Sequence, residues 1–321
     1  MRIDVKEAAE FLRENNDYLI LMHASPDGDT LGCGTALCGA LQRLGKNAKA
    51  VCPDEIPHKF DYLFNACTDQ DFEPKTVVCV DVADTKLLGD MKEVGDTAKL
   101  CIDHHVSNID YAERTLLEAE SAAACEIIFD IINELGVRFD AALASSIYTG
   151  VATDTGCFKF SNTTPRTHKI AAEMIELGAD FVNINYEMFD MKTPGRIELE
   201  QAAMKTIRYF ANGHIAVIYA PFSMINSIKG IDSDDIGALA SMPRKIQGVD
   251  IGICVKEKKK GEYKASIRTS QRIDCSKIAQ KFGGGGHERS SGCSFYEGTI
   301  EEAAARVVAE SEEALRKAGI I

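Results

Sequence analysis

The sequence predicts an α/β protein: a parallel-sheet domain with helices on both faces, followed by a smaller mixed α/β domain. Two observations carry this. Short runs such as YLILM (Tyr18–Met22) and TVVCV (Thr76–Val80) are apolar throughout instead of alternating, as strands covered on both faces are. Helix-like stretches separate them, and this alternation of strand and helix implies a parallel sheet. At 321 residues the chain is also too long for one ordinary small core, so two domains are expected.

The elements follow in order. Tyr18–Met22 reads as the first strand. A helix runs from about Leu31 to Leu44 and is closed by Gly45. Ala48–Val51, Thr76–Val80 and Lys99–Ile102 are further strands. Ala- and Ile-rich helices lie around Ala122–Leu135 and Ala141–Val151. Another, Pro165–Leu177, is preceded by the potential cap Asn162-Thr163-Thr164 and stopped by Gly178. Around Thr193-Pro194-Gly195-Arg196 strand character disappears, which suggests a hinge. The expected division is 1–185 for the first domain, 186–204 for a linker and 205–321 for the second domain. There, strands are expected at His214–Tyr219, Val249–Val255, Tyr263–Arg268 and Cys293–Tyr296, with helices at Asp274–Phe282 and Ile300–Ala318. The basic run Lys256–Lys260, ending at Gly261, reads as a hairpin loop.

Composition narrows the functional classes. The chain is 45% hydrophobic and 26% charged, which is ordinary for a globular protein. No apolar stretch is long enough for a membrane span, and the N-terminus lacks the basic start and apolar run of a signal peptide. The eleven cysteines are scattered, without a CxxC pair, and several sit in strand-like runs, so reduced thiols in the cytoplasm are expected. A net charge of −13 argues against a broad footprint on duplex nucleic acid. It does not exclude a small phosphorylated substrate, because bound cations invert the local sign of an acidic pocket.

Four motifs carry the chemistry. His23-Ala24-Ser25-Pro26-Asp27-Gly28-Asp29 follows the first strand, at the strand end where open parallel sheets bind ligands. Asp81 follows Val80, with Asp84 shortly after. Asp103-His104-His105 follows Ile102, and Thr153-Asp154 follows the helix that ends near Val151. Any one of these reads equally well as a polar cap. Together, His23, Asp27, Asp29, Asp81, His104 and Asp154 would repel one another unless a positive charge sits among them. Two divalent cations answer that need. Carboxylate and imidazole ligands without thiolate suit Mn²⁺ best, with Mg²⁺, Co²⁺ or Zn²⁺ as substitutes. Asp81, alone at the end of a central strand, is the expected bridge. Two ions roughly 3.5–4 Å apart can share a hydroxide for in-line attack on phosphorus. Asp103 is then expected to orient an imidazole, and His105 to face the phosphoryl group as donor or general acid. In the second domain, Gly284, Gly285, Gly286 and His287 offer backbone amides and an imidazole to an anion. Arg268, at a strand end, is a candidate phosphate clamp.

These residues, in this order and spacing, resemble the DHH/DHHA1 phosphoesterase superfamily over nearly the whole chain. The resemblance rests on His23-x-x-x-Asp27-x-Asp29, Asp81, Asp103-His104-His105 with Asn108, Thr153-Asp154-Thr155-Gly156 and GGGGH ending at His287. It implies one metal held by His23, Asp27 and Asp81 and another by Asp29, Asp81, His104 and Asp154, usually manganese, with Arg268 and the glycine-rich loop holding a nucleotide. The short two-domain form is similar to NrnA-type enzymes, which implies hydrolysis of short oligoribonucleotides and of 3′-phosphoadenosine 5′-phosphate. Relatives that cleave linear or cyclic dinucleotides supply the alternative. Inorganic pyrophosphatase and an inactive nucleotide sensor are less favoured, because GGGGH and every expected ligand are present. Ser290-Ser291-Gly292 departs from the usual alanine-bearing ending of the loop and bears on substrate more than on catalysis. The resemblance also implies a homodimer formed through the first domain, for which the Ala/Ile-rich helices offer an apolar face.

Overall fold

The computed structural model describes residues 1–321, which divide into two compact units, Met1–Met191 and Lys192–Ile321. In the first unit, α1 (Val5–Glu14) is followed by β1 (Tyr18–Leu21), α2 (Gly28–Arg43), β2 (Ala48–Val51), β3 (Thr76–Val80), the short helix α3 (Lys92–Gly95), β4 (Leu100–Asp103) and β5 (Arg114–Leu117). Helices α4 (Ala124–Leu135), α5 (Ala141–Asp154), α6 (Pro165–Glu176) and α7 (Phe181–Asn185) complete it. The sheet order is β2-β1-β3-β4-β5 with every pairing parallel, so β3 is central. Alternation along β1 sends Tyr18 and Ile20 into the main core with Leu37, Ile128 and Ile147. Leu19 and Leu21 go to the opposite face with Cys79, Leu88 and Cys101. That second face is covered by thin helical turns, among them Thr85–Met91, instead of long helices.

Several boundaries differ from expectation, each for a physical reason. The helix expected from Leu31 begins at Gly28, because the Asp27 side chain accepts from the amides of Asp29 and Thr30 and caps it. The helix expected to end near Val151 continues to Asp154. Strand β5 is an unexpected edge strand: its four residues, RTLL, are too short to register as a pattern, and tertiary pairing with β4 decides it. The isoleucines of the Ala/Ile-rich helices, Ile127, Ile128, Ile131, Ile132 and Ile147, are all buried in the unit's own core.

The second unit begins with α8 (Pro194–Met204), β6 (Arg208–Phe210), β7 (Ile215–Ala220), α9 (Phe222–Ser227), α10 (Ser233–Ala238), β8 (Ile251–Lys259) and β9 (Glu262–Thr269). It ends with α11 (Cys275–Gln280), β10 (Gly285–His287), β11 (Ser290–Phe295) and α12 (Ile300–Lys317). Its sheet runs β10-β11-β9-β8-β7-β6 and is antiparallel except for β7 against β8. The stretch expected as a linker, 186–204, is largely helical: Thr193 caps α8 and Pro194 occupies its first turn, while Leu199 and Ala203 are buried beside Ile218 and Leu239. The Thr-Pro-Gly signal therefore marks a helix start. The basic run expected as a hairpin loop lies mostly in β8, which reaches Lys259, and only Lys260-Gly261 turns.

Gly39 gives this packing a sharp test. A Cβ there would lie 2.1 Å from the Ala66 carbonyl oxygen, so the absent side chain is what lets the turn His58–Ala66 cross α2. Ordinarily Gly→Ala in a helix interior stabilises by about 1 kcal/mol. Gly39→Ala should instead destabilise by about 1–3 kcal/mol in urea unfolding, because a backbone atom cannot rotate away.

Candidate metal centre

The expected ligands converge at the carboxyl ends of β1, β3 and β4. His23 lies just beyond β1, Asp27 caps α2, and Asp29 stands in the first turn of α2, not on the preceding turn as expected. Asp81 leaves β3 with a left-handed backbone (φ 58°), held by its amide donating to the Ile102 carbonyl at 2.8 Å. Such a conformation costs a non-glycine residue roughly 1 kcal/mol. Asp103 is the last residue of β4, His104 and His105 follow it, and Asp154 ends α5.

The distances describe two groups that share Asp81. Nε2 of His23 lies 3.7 Å from Asp27 Oδ1 and 3.6 Å from Asp81 Oδ2. Nε2 of His104 lies 3.4 Å from Asp154 Oδ2, 3.6 Å from Asp81 Oδ1 and 3.9 Å from Asp29 Oδ2. These separations are too long for strong hydrogen bonds and suit donor atoms gathered around a common cation. Both rings are anchored from behind: Nδ1 of His23 bonds the Ala24 carbonyl at 2.8 Å, and Nδ1 of His104 bonds that of Ser121 at 3.0 Å. An Nδ1–H donated to a carbonyl leaves Nε2 as an acceptor, the tautomer a metal requires. Asp29, 1% exposed, accepts from the first amides of α4, Ala124 at 2.6 Å and Cys125 at 3.0 Å. Those helix-end dipoles fix its carboxylate where the core would otherwise reject it.

Asp103 is fully buried and takes no place among these facing atoms. It accepts from Nδ1 of His105 at 2.8 Å, Nδ2 of Asn108 at 2.6 Å and the amide of His104 at 2.8 Å. His105 is thus oriented by Asp103 and stands 3.4 Å from Asp81. Asp84 does not join the group; its side chain accepts from the Lys86 amide and caps a turn. A feature without a signal in the sequence lies behind Asp29. The thiols of Cys33 and Cys125 meet there at 3.4 Å, and all eleven cysteines are free.

Electrostatics expose the missing charge. Burial, with the neighbouring Asp29 charge added, pushes Asp81 up to about 7 and Asp154 up to about 8. Burial opposes the charged form of His23, yet the Asp27 and Asp81 carboxylates outweigh it and push the ring up to about 11. The hydrogen bond to Asp103 pushes His105 up to about 9. Meanwhile Asp81 Oδ1 is buried and accepts no hydrogen bond. That oxygen stands 3.6 Å from Nε2 of His104 and 3.4 Å from Nδ1 of His105 without a hydrogen bond to either, and its carboxylate lies among others, a setting that divalent cations match.

The second unit gathers a separate anion-friendly surface. In β9, Tyr263, Ala265 and Ile267 enter the core, so Lys264, Ser266 and Arg268 share the other face. A cavity of about 560 Å³ is lined by Lys264, Ser266, Arg268, Gly284 and Gly285. Gly286 and His287 are not in its lining, although cross-strand register aligns His287 with Ser290 and Ser290 with Arg268. Three of the four residues expected in a loop, Gly285, Gly286 and His287, form strand β10, in which Gly286 adopts φ 133° and a Cβ would meet the Ser290 carbonyl at 2.5 Å. Arg268 pairs with no carboxylate, and its guanidinium donates only to its neighbour's carbonyl, Ile267. Lys264 and Ser266 were not anticipated; the signal that would have found them is the period-two pattern Lys264-x-Ser266-x-Arg268.

Two outcomes are expected. Manganese should raise the melting temperature of the protein by several degrees at millimolar concentration, and Asp81→Ala should abolish most of that rise. In metal-free protein, Asp81 and Asp154 bind protons more tightly folded than unfolded, so their contribution is full below about pH 4 and is lost as pH rises toward 8. Urea unfolding of metal-free protein should therefore show stability falling over that window, and saturating metal should flatten the fall.

Comparison with known proteins places this geometry. Residues 17–151 match the model of the DHH family N-terminal domain, and residues 215–317 match that of the DHHA1 domain. The chain is 28% identical over 307 residues to the bifunctional oligoribonuclease and PAP phosphatase NrnA of Thermus thermophilus, covering 94% of this chain and 91% of that one. It is 24% identical over 286 residues to the protein of the same name from Bacillus subtilis, with 87% and 90% covered. Among solved structures, an exopolyphosphatase-related protein from Bacteroides fragilis superposes with a TM-score of 0.85 at 24% identity, covering 98% of this chain and 95% of that one. The fold is also that of exonuclease RecJ bound to manganese, at a TM-score of 0.53 and 15% identity, with 97% and 94% covered. With both domain models matched in order and NrnA relatives aligned along most of its length, the chain belongs to the DHH/DHHA1 phosphoesterase family.

Proposed function

We propose that the protein is a divalent-metal phosphoesterase that hydrolyses short oligoribonucleotides and 3′-phosphoadenosine 5′-phosphate. The observation that carries this reading is Asp81, whose buried carboxylate is shared by two groups of metal-type donors and has an oxygen with no protein partner. His23, Asp27 and Asp81 would hold one ion, and Asp29, Asp81, His104 and Asp154 the other, with Mn²⁺ best matched to the donor set. Bound divalent ions supply Lewis acidity to a phosphoryl group and acidify water for attack. The names of the relatives, oligoribonuclease and PAP phosphatase, support the substrate class, as does their alignment along most of the chain.

The chain's own residues then have defined work. The Ala24 and Ser121 carbonyls accept from Nδ1 of the two ligating rings and aim each Nε2 at the carboxylates, so the Nε2 proton that those carboxylates hold on His23 is the one a cation would displace. Asp103 fixes His105 through Nδ1, leaving Nε2–H of the charged ring as donor to a phosphoryl or leaving-group oxygen. Asp103 itself stays charged: burial opposes this, but hydrogen bonds from His105 and Asn108 hold its carboxyl below the usual range. In the second unit Arg268, Lys264 and the amides around Gly284 and Gly285 would bind the phosphate of a nucleotide, with His287 at the rim. Two cations on this face reconcile an anionic substrate with a chain of net charge −13.

The test is a panel with Mn²⁺: a diribonucleotide, 3′-phosphoadenosine 5′-phosphate, a cyclic dinucleotide and pyrophosphate. Release of mononucleotide from the first two is expected, with Asp81→Ala inactive. Arg268→Ala should raise KM by about 10- to 100-fold with a smaller effect on kcat, since a charge-assisted hydrogen bond is worth about 1.5–3 kcal/mol. Turnover of cyclic dinucleotide alone would reassign the substrate, and turnover of none would reject the enzymatic reading.

A further inference from the structure

Four buried side-chain polar atoms lack a hydrogen-bond partner: two threonine hydroxyls, Oδ1 of Asp81 and Nε of Arg244. The last belongs to a charged group far in sequence from the metal centre. Arg244 sits in a single helical turn, Pro243–Lys245, pressed against β8 where Gly252 leaves room; a Cβ on Gly252 would lie 2.4 Å from the Arg244 amide nitrogen. Its guanidinium makes no ion pair with any carboxylate. Nε is closed off, while the unpaired guanidinium as a whole lines an open cavity, where an anion would offset the cost of leaving its charge unmatched.

The surroundings are built for one. A cavity of about 650 Å³ is lined by Arg244, His214, Asp250 and Arg272 at the start of β7 and β8 and the end of β9. Asp250 acts as a bracket: it accepts from Nδ1 of His214 at 2.9 Å, Ser270 Oγ at 2.9 Å and Nη2 of Arg272 at 2.7 Å. With its side chain only 7% exposed, both oxygens are spent on these donors and little of its charge faces the opening. Nε2 of His214 and the other N–H groups of Arg272 have no protein partner. Two guanidiniums and an imidazole thus border one opening against a single, already satisfied carboxylate. This cavity does not share Arg268, Lys264, Gly284 or Gly285, which line the other one.

We propose that this cavity is a second oxyanion site, binding a phosphate or phosphodiester group between Arg244, Arg272 and His214. The bidentate fork of arginine suits that geometry. The site stands independently of the reaction assigned to the metal centre, and its occupant is a free phosphate or nucleotide, or the next phosphodiester of a longer strand.

The experiment follows the His214 ring resonances by NMR in the full-length, metal-loaded protein, assigned by their loss in His214→Gln among the seven histidines. Inorganic phosphate is titrated at constant ionic strength into wild type, Arg268→Gln, Arg244→Gln and Arg244→Lys. Saturable movement of the His214 signal is expected in wild type and Arg268→Gln. In Arg244→Gln affinity should fall about 10-fold or more, with Arg244→Lys between, since one charge-assisted hydrogen bond is removed. An unmoved His214 signal in Arg268→Gln, or an unchanged titration in Arg244→Gln with native circular dichroism, would overturn the site. The two sources separate by kinetics. If Arg244→Gln lowers kcat/KM for a longer oligoribonucleotide and spares the dinucleotide, the occupant is a strand phosphodiester. If both are spared while AMP still moves His214 in wild type and Arg268→Gln but not in Arg244→Gln, it is a free nucleotide phosphate.

Discussion

Charge crowding at the end of the parallel sheet is the constraint on which the first unit turns. Asp29 and Asp81 are almost fully buried, Asp154 and Asp27 stand close by, and the only protein cations facing them are imidazoles whose ring nitrogens are needed as acceptors. Left alone, such a cluster must take up protons, which is what the upward shifts of Asp81 and Asp154 express. The surrounding structure therefore works to hold repelling groups together. The α4 amides grip Asp29, the left-handed turn aims Asp81, and two backbone carbonyls set the rings.

This arrangement explains small residues that would otherwise look incidental. Gly150 of α5 leaves the space in which Asp29 and Cys125 lie; a Cβ there would approach Cys125 Sγ at 2.2 Å and Asp29 Oδ1 at 2.6 Å. The close approach of α2, α4 and α5 is thus the back wall of the site as well as the hydrophobic core.

The second unit solves the opposite electrostatic problem. One sheet face is committed to α11 and α12, while the strand end at Arg268 keeps cations without carboxylate partners. Arg244 extends that pattern to another opening, which Arg272 borders while bound to Asp250. A chain with a strongly acidic average thereby keeps its unpaired positive charge where phosphates would be met, and average charge says little about such a surface.

Read from the chain alone, the apolar runs ending in Asp81 and in Asp103-His104-His105 already located the strands and the chemistry, because a buried strand must be apolar and its end is the first place where polar groups are tolerated. The six ligand-type residues were legible for the same reason. What the residues by themselves did not determine was set by contacts between distant segments. Edge strand β5 exists because β4 pairs with it, and the carboxyl end of α5 carries Asp154 because packing against α2 extends the helix. Asp27 and Asp29 take different places, one as cap and one in the first turn, because backbone amides compete for their oxygens. The partnerless oxygen of Asp81 is the strongest pointer to a bound cation, and a missing partner is a property of three-dimensional neighbourhoods that no linear spacing encodes.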